Sequence, residues 1–260
     1  ILSFSSIRKK LYGEKCEVII EEIDGEDEEE NTSYEEELLP GGVDVGTLLH
    51  GILEEIDFTV AKGLESAREF LGIVSIAEVV ERWLRRFVVV DNNFEKIKER
   101  VEELLFNTLT TEIFDSFRLC DLKKEDRISE LDFYYRLDNK YLLTGAIDLV
   151  FLYNEKFYII DWKSNILDEY EGDSFYNFVE EHYGLQYRIY TLATLEYLKN
   201  VYGDFKDRFG GVVYIFLRGI KKGSKNGIFF KEFNTDLLDK VISEVKDSYV
   251  DALEIDHFIE

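Results

Sequence analysis

Asp148, Asp161 and Lys163 interrupt the most sheet-like stretch of the chain, GAIDLVFLYNEKFYIIDWKSN at residues 145–165. A strand rich in Ile, Leu, Val, Phe and Tyr keeps carboxylates off its buried face, because an unpaired buried charge is costly. Three charges in such a place therefore call for a chemical reason. Side chains alternate along a strand, so Asp161 and Lys163, two residues apart, share a face, and a neighbouring hairpin strand brings Asp148 alongside. Two carboxylates held together repel and raise one pKa unless a cation lies between them. A hard divalent ion such as Mg²⁺ takes oxygen ligands and keeps waters and a substrate phosphate in its shell. Lys163 then orients or helps deprotonate an attacking water, or stabilises charge on phosphoryl oxygens. Metal, water and lysine around a phosphate amount to phosphodiester hydrolysis. The competing reading is an internal salt bridge among the same three residues, and spacing alone does not choose between them.

The elements that must carry these residues follow from periodicity. ISELDFYYRL, YLLTGAIDLVFLY and KFYIIDWKS alternate with period 2 and are separated by DNK (138–140) and NEK (154–156), which predicts an antiparallel three-strand meander. Before it, residues 44–106 carry a 3.6 period. DVGTLLHGILEEI places Leu48, Leu49, Ile52, Leu53 and Ile56 on one face, with Asp44 as the expected N-cap, and SIAEVVERWLRRFVVV and NNFEKIKERVEELLFNTLT read as two more amphipathic helices. After it come a long helix at roughly 180–201, strands in GGVVYIFLRGI and GIFFKEF, and a closing helix in TDLLDKVISEVKDSYV. At the N-terminus, SFSS is expected to cap a short helix, CEVIIEEI to extend, and DGEDEEENTSYEEELLPGG (24–42) to form a solvated linker. The sum is an α/β domain, a mixed sheet flanked by helices behind a helical subregion.

Composition bounds the setting. The 260 residues are 45% hydrophobic, enough for a substantial core, and contain no apolar run long enough for a membrane span. ILSFSSIRKK lacks the pattern of a signal peptide. Cys16 and Cys120 have no metal-type spacing and cannot supply the four thiolates of an iron–sulfur cluster, so a reducing, cytoplasmic setting is expected. There is no methionine, even at position 1, as expected of a piece of a longer polypeptide. The net charge of −24 opposes nucleic acid over the molecule as a whole but leaves room for a local site where metal offsets the charge.

The 145–165 stretch resembles the core of the PD-(D/E)xK nuclease superfamily, in which an acid on one strand precedes an acid-x-Lys on the next. GTLLHGILEEIDF (46–58), LQYRIYTLATLEYL (185–198) and FGGVVYIFLRGI (209–220) resemble its RecB-type branch, the C-terminal nuclease domain of the exodeoxyribonuclease V beta subunit, and SFSSIRKK (3–10) resembles the segment joining helicase to nuclease. The match keeps the same order from residue 3 to about residue 250. The resemblance implies a restriction-endonuclease-like fold, with a lead-in and acidic linker over 1–43 and a nuclease domain over 44–260, its helical part at 44–127 and its sheet core at 128–260.

It also implies roles. Asp148 and Asp161 match the metal-binding acids, Lys163 the catalytic lysine, and His50 a histidine that completes the metal shell from a helix; without the resemblance, a histidine among leucines reads as a core residue. Trp162 stands where tyrosine is common, a harmless change if its backbone carbonyl is the ligand. Glu130 matches an acid in the preceding strand, in the outer shell or at a second metal, or is the ordinary partner of a nearby base. Gln186, Tyr187 and Tyr190 match a QYxxY motif that lies against the site, although aromatics at helical spacing usually pack a core; Arg218 and Lys221 are candidates for phosphate contact. The implied activity is a metal-dependent exodeoxyribonuclease in double-strand break repair and recombination, using Mg²⁺ (Mn²⁺ or Ca²⁺ in the same site). It would act on single-stranded DNA ends delivered by a helicase, alongside RecC- and RecD-like subunits. That arrangement accounts for the acidity, since motor domains and partners would supply the basic channel. The alternatives are an AddA-type or stand-alone nuclease and a catalytically inactive docking domain.

Overall fold

The computed structural model describes residues 2–3, 39, 41–87, 93–136, 142–203, 206–234, 236–240 and 243. The meander forms as the alternation predicts. Strands β2 (Arg127–Arg136), β3 (Leu142–Tyr153) and β4 (Lys156–Lys163) pair antiparallel in sequence order. The β3–β4 turn is a two-residue loop in which Asn154 and Glu155 both take positive φ, 47° and 62°, the backbone that matches strand twist in a tight hairpin. The DNK turn lies outside the described residues. Beyond β4 the sheet continues with β5 (Phe209–Phe216), parallel to β4, and β6 (Ile228–Glu232), antiparallel to β5, giving the order β2-β3-β4-β5-β6. A two-residue strand, β1 (Leu2–Ser3), pairs parallel with Leu143 and Thr144 of β3.

A parallel neighbour requires a crossover, and helix α5 (Gly172–Tyr202) supplies it between β4 and β5. It begins well before the expected residue 180, because Phe175, Val179 and Tyr183 extend its apolar face toward the N-terminus. Helices α1 (Val43–Glu55), α2 (Ala67–Leu71), α3 (Val74–Phe87) and α4 (Phe94–Thr110) pack on the opposite face of the sheet. Asp44 lies inside the first turn of α1 rather than at its cap, which is Gly42; a carboxylate there favours the helix dipole instead.

Two cores result. Leu149, Phe151, Ile160, Trp162, Val213 and Ile215 face α1–α4, while Val150, Ile159, Val212, Tyr214 and Phe216 face α5. All eight residues of β5 are buried, as a strand covered on both faces requires. Leu39, assigned by sequence to the solvated linker, is buried in the first core, because its apolar side chain gains more there than in water. Residues 236–240 are helical; the rest of the expected closing helix, apart from helical residue 243, and the expected elements of residues 4–38 lie outside the described residues. Among the described residues no helix is long and apolar enough to cross a membrane.

Candidate active site

The hairpin register sets the site. The pairing of β3 with β4 runs from Tyr153↔Lys156 to Leu149↔Ile160, so Asp148 and Asp161 occupy the next facing positions. On the other side of β3, Ser129↔Leu149 and Leu131↔Ile147 flank Glu130 and leave it opposite Asp148. Glu130, Asp148 and Asp161 thus form a row of acids across three adjacent strands. The β2–β3 ladder is interrupted at this row, and the β3–β4 ladder ends just before it. The Trp162 N–H donates to the Asp148 carboxylate at 2.7 Å, a side chain serving where a ladder partner ordinarily would. Glu130 has φ 49°, a left-handed conformation that a non-glycine residue seldom adopts within a strand.

Each central acid has a cation beside it. His50 Nδ1 lies 3.4 Å from Asp148 Oδ1. Burial disfavours the imidazolium, but the Asp148 charge and hydrogen bond outweigh it and raise the His50 pKa to about 9. Burial likewise disfavours the ionised Asp148, yet His50, Lys163 and the Trp162 N–H together hold its carboxyl below the usual range. The condition attached to the facing acids, that a cation offsets their repulsion, is met at Asp148 by the neighbouring His50 and Lys163. Asp161 Oδ2 lies 2.7 Å from Lys163 Nζ, with both side chains almost wholly buried. The ammonium also sits over the Tyr183 ring, 4.4 Å from its centroid, and 5.5 Å from that of Tyr214.

These groups border a cavity of about 350 Å³ lined in part by His50, Glu130, Asp148, Trp162, Lys163 and Tyr183. Ligand atoms of His50, Glu130 and Asp148 lie within 4.8 Å of one another, and among the described residues this is the one group of acids, histidines or cysteines close enough to share an ion. One imidazole nitrogen with carboxylate oxygens, and no thiolate in the lining, is a donor set that fits a hard or borderline divalent cation. Asp161 adjoins this group but is engaged with Lys163. The Trp162 indole is packed in the core under the helices, and the residue also borders the cavity.

The remaining candidates stand further off. Gln186 is buried between Tyr190 and Tyr214, donating to Tyr190 Oη at 3.1 Å and accepting from Tyr214 Oη at 2.9 Å. Tyr187 is buried in the same core and donates to Glu180 at 2.7 Å, and burial followed by that acid pushes its phenol pKa up. None of the three lines the cavity; Tyr183, one turn before Tyr187 on the same helix face, does. Arg218 donates to the carbonyls of Ser164 (2.6 Å) and Leu39 (2.5 Å), bracing the end of β4 against the start of the helical layer. Lys221 is exposed. Tyr183 and Trp83 were not singled out from sequence. The i, i+4, i+7 spacing of Tyr183, Tyr187 and Tyr190 was a usable signal for the first.

The profile described as PD-(D/E)XK nuclease superfamily matches residues 24–258. The chain is 32% identical over 248 residues to the RecBCD enzyme subunit RecB of Borreliella burgdorferi, covering 81% of this chain and 20% of that protein. It is 29% identical over 240 residues to the subunit of the same name from Haemophilus influenzae (78% and 18%) and 30% identical over 223 residues to that from Escherichia coli (76% and 19%). The chain spans about a fifth of the length of these curated relatives.

Proposed function

The chain belongs to the PD-(D/E)XK nuclease superfamily, and on that premise we propose that it hydrolyses DNA phosphodiester bonds with a divalent metal, Mg²⁺ first, as the nuclease part of a RecB-type helicase–nuclease. The observation that carries this reading is the meeting of His50, Glu130 and Asp148 in one cavity with Lys163. The relatives named as RecB subunits of a RecBCD enzyme support an exodeoxyribonuclease V type of activity in recombination and repair, with RecC- and RecD-like partners.

His50, Asp148, Asp161 and the Trp162 carbonyl are the groups that would hold the ion, with Glu130 beside them. A divalent cation bound there supplies Lewis acidity toward a phosphoryl oxygen and a water. The chain's own groups do the rest. The Trp162 N–H fixes the Asp148 carboxylate, so that this ligand is oriented before substrate arrives. Lys163, held between Asp161 and the Tyr183 ring, keeps a positive charge at the cavity wall. From there its ammonium orients the attacking water and offsets the charge that grows on the phosphoryl oxygens.

The test is incubation of the purified protein with an end-labelled single-stranded oligonucleotide, with Mg²⁺ or Mn²⁺ and with a chelator in parallel. Cleavage only with metal is the expected result. Absence of cleavage with either metal, or cleavage unaffected by the chelator, would overturn the reading.

A further inference from the structure

Gln186 of α5 is 1% exposed, on the helix that covers the apolar residues Ile159, Val212 and Phe216. Its amide is satisfied at both ends, accepting from Tyr214 Oη and donating to Tyr190 Oη. A buried trio of this kind adds little net stability, because apolar side chains of the same shape would pack as well or better. What it supplies is a fixed orientation. The Tyr214 ring is the group so fixed, and its neighbours belong to the site. Parallel pairing sets Tyr214 of β5 beside Asp161 of β4, and Phe216 beside Lys163. Asp161 and Lys163 continue the face of β4 on which Ile159 meets the second core. There the Lys163 ammonium lies 4.4 Å from the centroid of the Tyr183 ring and 5.5 Å from that of Tyr214, both within cation–π range. The two rings are themselves 5.4 Å apart. Tyr183 has a tie of its own, its hydroxyl donating at 3.0 Å to the side chain of Asn165, just beyond the end of β4. Tyr183, Gln186 and Tyr190 recur at i, i+3 and i+7, so one face of α5 carries the whole arrangement.

We propose that Gln186 is a positioning residue for Lys163. By holding the Tyr214 ring, it sets one side of the aromatic seat from which the ammonium acts on the phosphate. Gln186 touches neither the cavity nor the groups that would hold the ion, so its loss leaves substrate and metal binding in place. A shift of the ammonium by about 1 Å is nevertheless enough to cost up to about 10²-fold in rate. The proposal rests on the nuclease reading above and adds to it how the lysine is held.

The test is a double-mutant cycle of Gln186→Met, which keeps the bulk of the side chain, and Tyr214→Phe, which removes one oxygen and no bulk. Cleavage of a single-stranded oligonucleotide is measured with Mg²⁺ and metal affinity by titration with Ca²⁺, each per folded protein from circular dichroism. Each single variant is expected to lower kcat about ten-fold, with KM and Ca²⁺ affinity within about two-fold of wild type. In the double variant neither partner of the 186–214 hydrogen bond is left orphaned, so the ring repacks and kcat should rise above that of either single variant. The upfield ring-current shift of the Lys163 ε-methylene protons should shrink in the single variants and return in the double, a signature of the seat itself rather than of stability. Should Gln186→Met not fold, Tyr214→Phe reads the same hydrogen bond from its other end. An unchanged kcat in the single variants, losses that add in the double, or a Ca²⁺ affinity that falls as far as kcat would make Gln186 a packing residue and leave the nuclease reading standing. A wild type that fails to cleave with metal would overturn both.

Discussion

Glu130 holds its place at a conformational cost. Its φ of 49° is costly for a residue with a Cβ, and its carboxylate is nonetheless exposed toward His50 and Asp148. Replacement by glycine separates the two effects. Glu130→Gly should stabilise the protein by about 1 kcal/mol by relieving the left-handed backbone. It should also weaken divalent-metal binding by about ten-fold or more. Chemical denaturation and metal titration of the variant would check both, and a less stable protein with unchanged metal affinity would contradict them. At this scale the sequence made much of the site legible. Asp148, Asp161 and Lys163 stood out because charge is rare on alternating apolar strands, and the structure brings His50 to Asp148. What spacing left open was which acid each cation would meet. The salt-bridge reading grouped Lys163 with both acids, whereas His50 reaches Asp148 from α1 and Lys163 meets Asp161. Such partners are fixed by tertiary contact rather than by spacing.

Among the elements, α4 carries an anomaly of its own. Glu102 sits on its buried face, 2% exposed, and among the described residues its Oε1 accepts no hydrogen bond. Burial raises the Glu102 pKa to about 7, against a weaker opposing pull from Lys98. The folded state therefore binds a proton that the unfolded chain releases near pH 4.5, so stability falls as pH rises from 4.5 to about 7. The size of that loss is about 3 kcal/mol. Glu102→Gln cannot ionise. It should be more stable than wild type at pH 8, with the difference vanishing toward pH 4, as measured by denaturation across that range; a constant difference would mean that the carboxylate titrates normally. The helices and strands themselves were mostly readable from periodicity. The exceptions were the start of α5, hidden because GDSFYNF opens with turn-forming residues, and the cap of α1. Gln186, Tyr187 and Tyr190 were legible as a helix face, but burial against the sheet was not legible as distinct from contact with the cavity.

The molecule as a whole is acidic, with a net charge of −24, and its cationic groups near the cavity are few. A polyanion is repelled at long range, so single-stranded DNA should bind weakly and only with divalent metal. Added monovalent salt then screens that repulsion while it weakens the local phosphate contacts. The usual steep loss of affinity with salt should be blunted. Titration of a single-stranded oligonucleotide with Ca²⁺, from low to moderate salt, would show it; tight metal-free binding that collapses steeply with salt would require a basic groove.

The most direct test is the rate of Mg²⁺-dependent cleavage of single-stranded DNA by Asp161→Asn. Asparagine is the informative choice, because alanine would strand the buried Lys163 ammonium and cost about 3 kcal/mol or more in stability. With circular dichroism confirming the fold, cleavage should fall to the level of a chelator control. Cleavage near the wild-type rate would mean that the row of acids and its lysine are a buried salt-bridge network, and that hydrolysis takes place somewhere else.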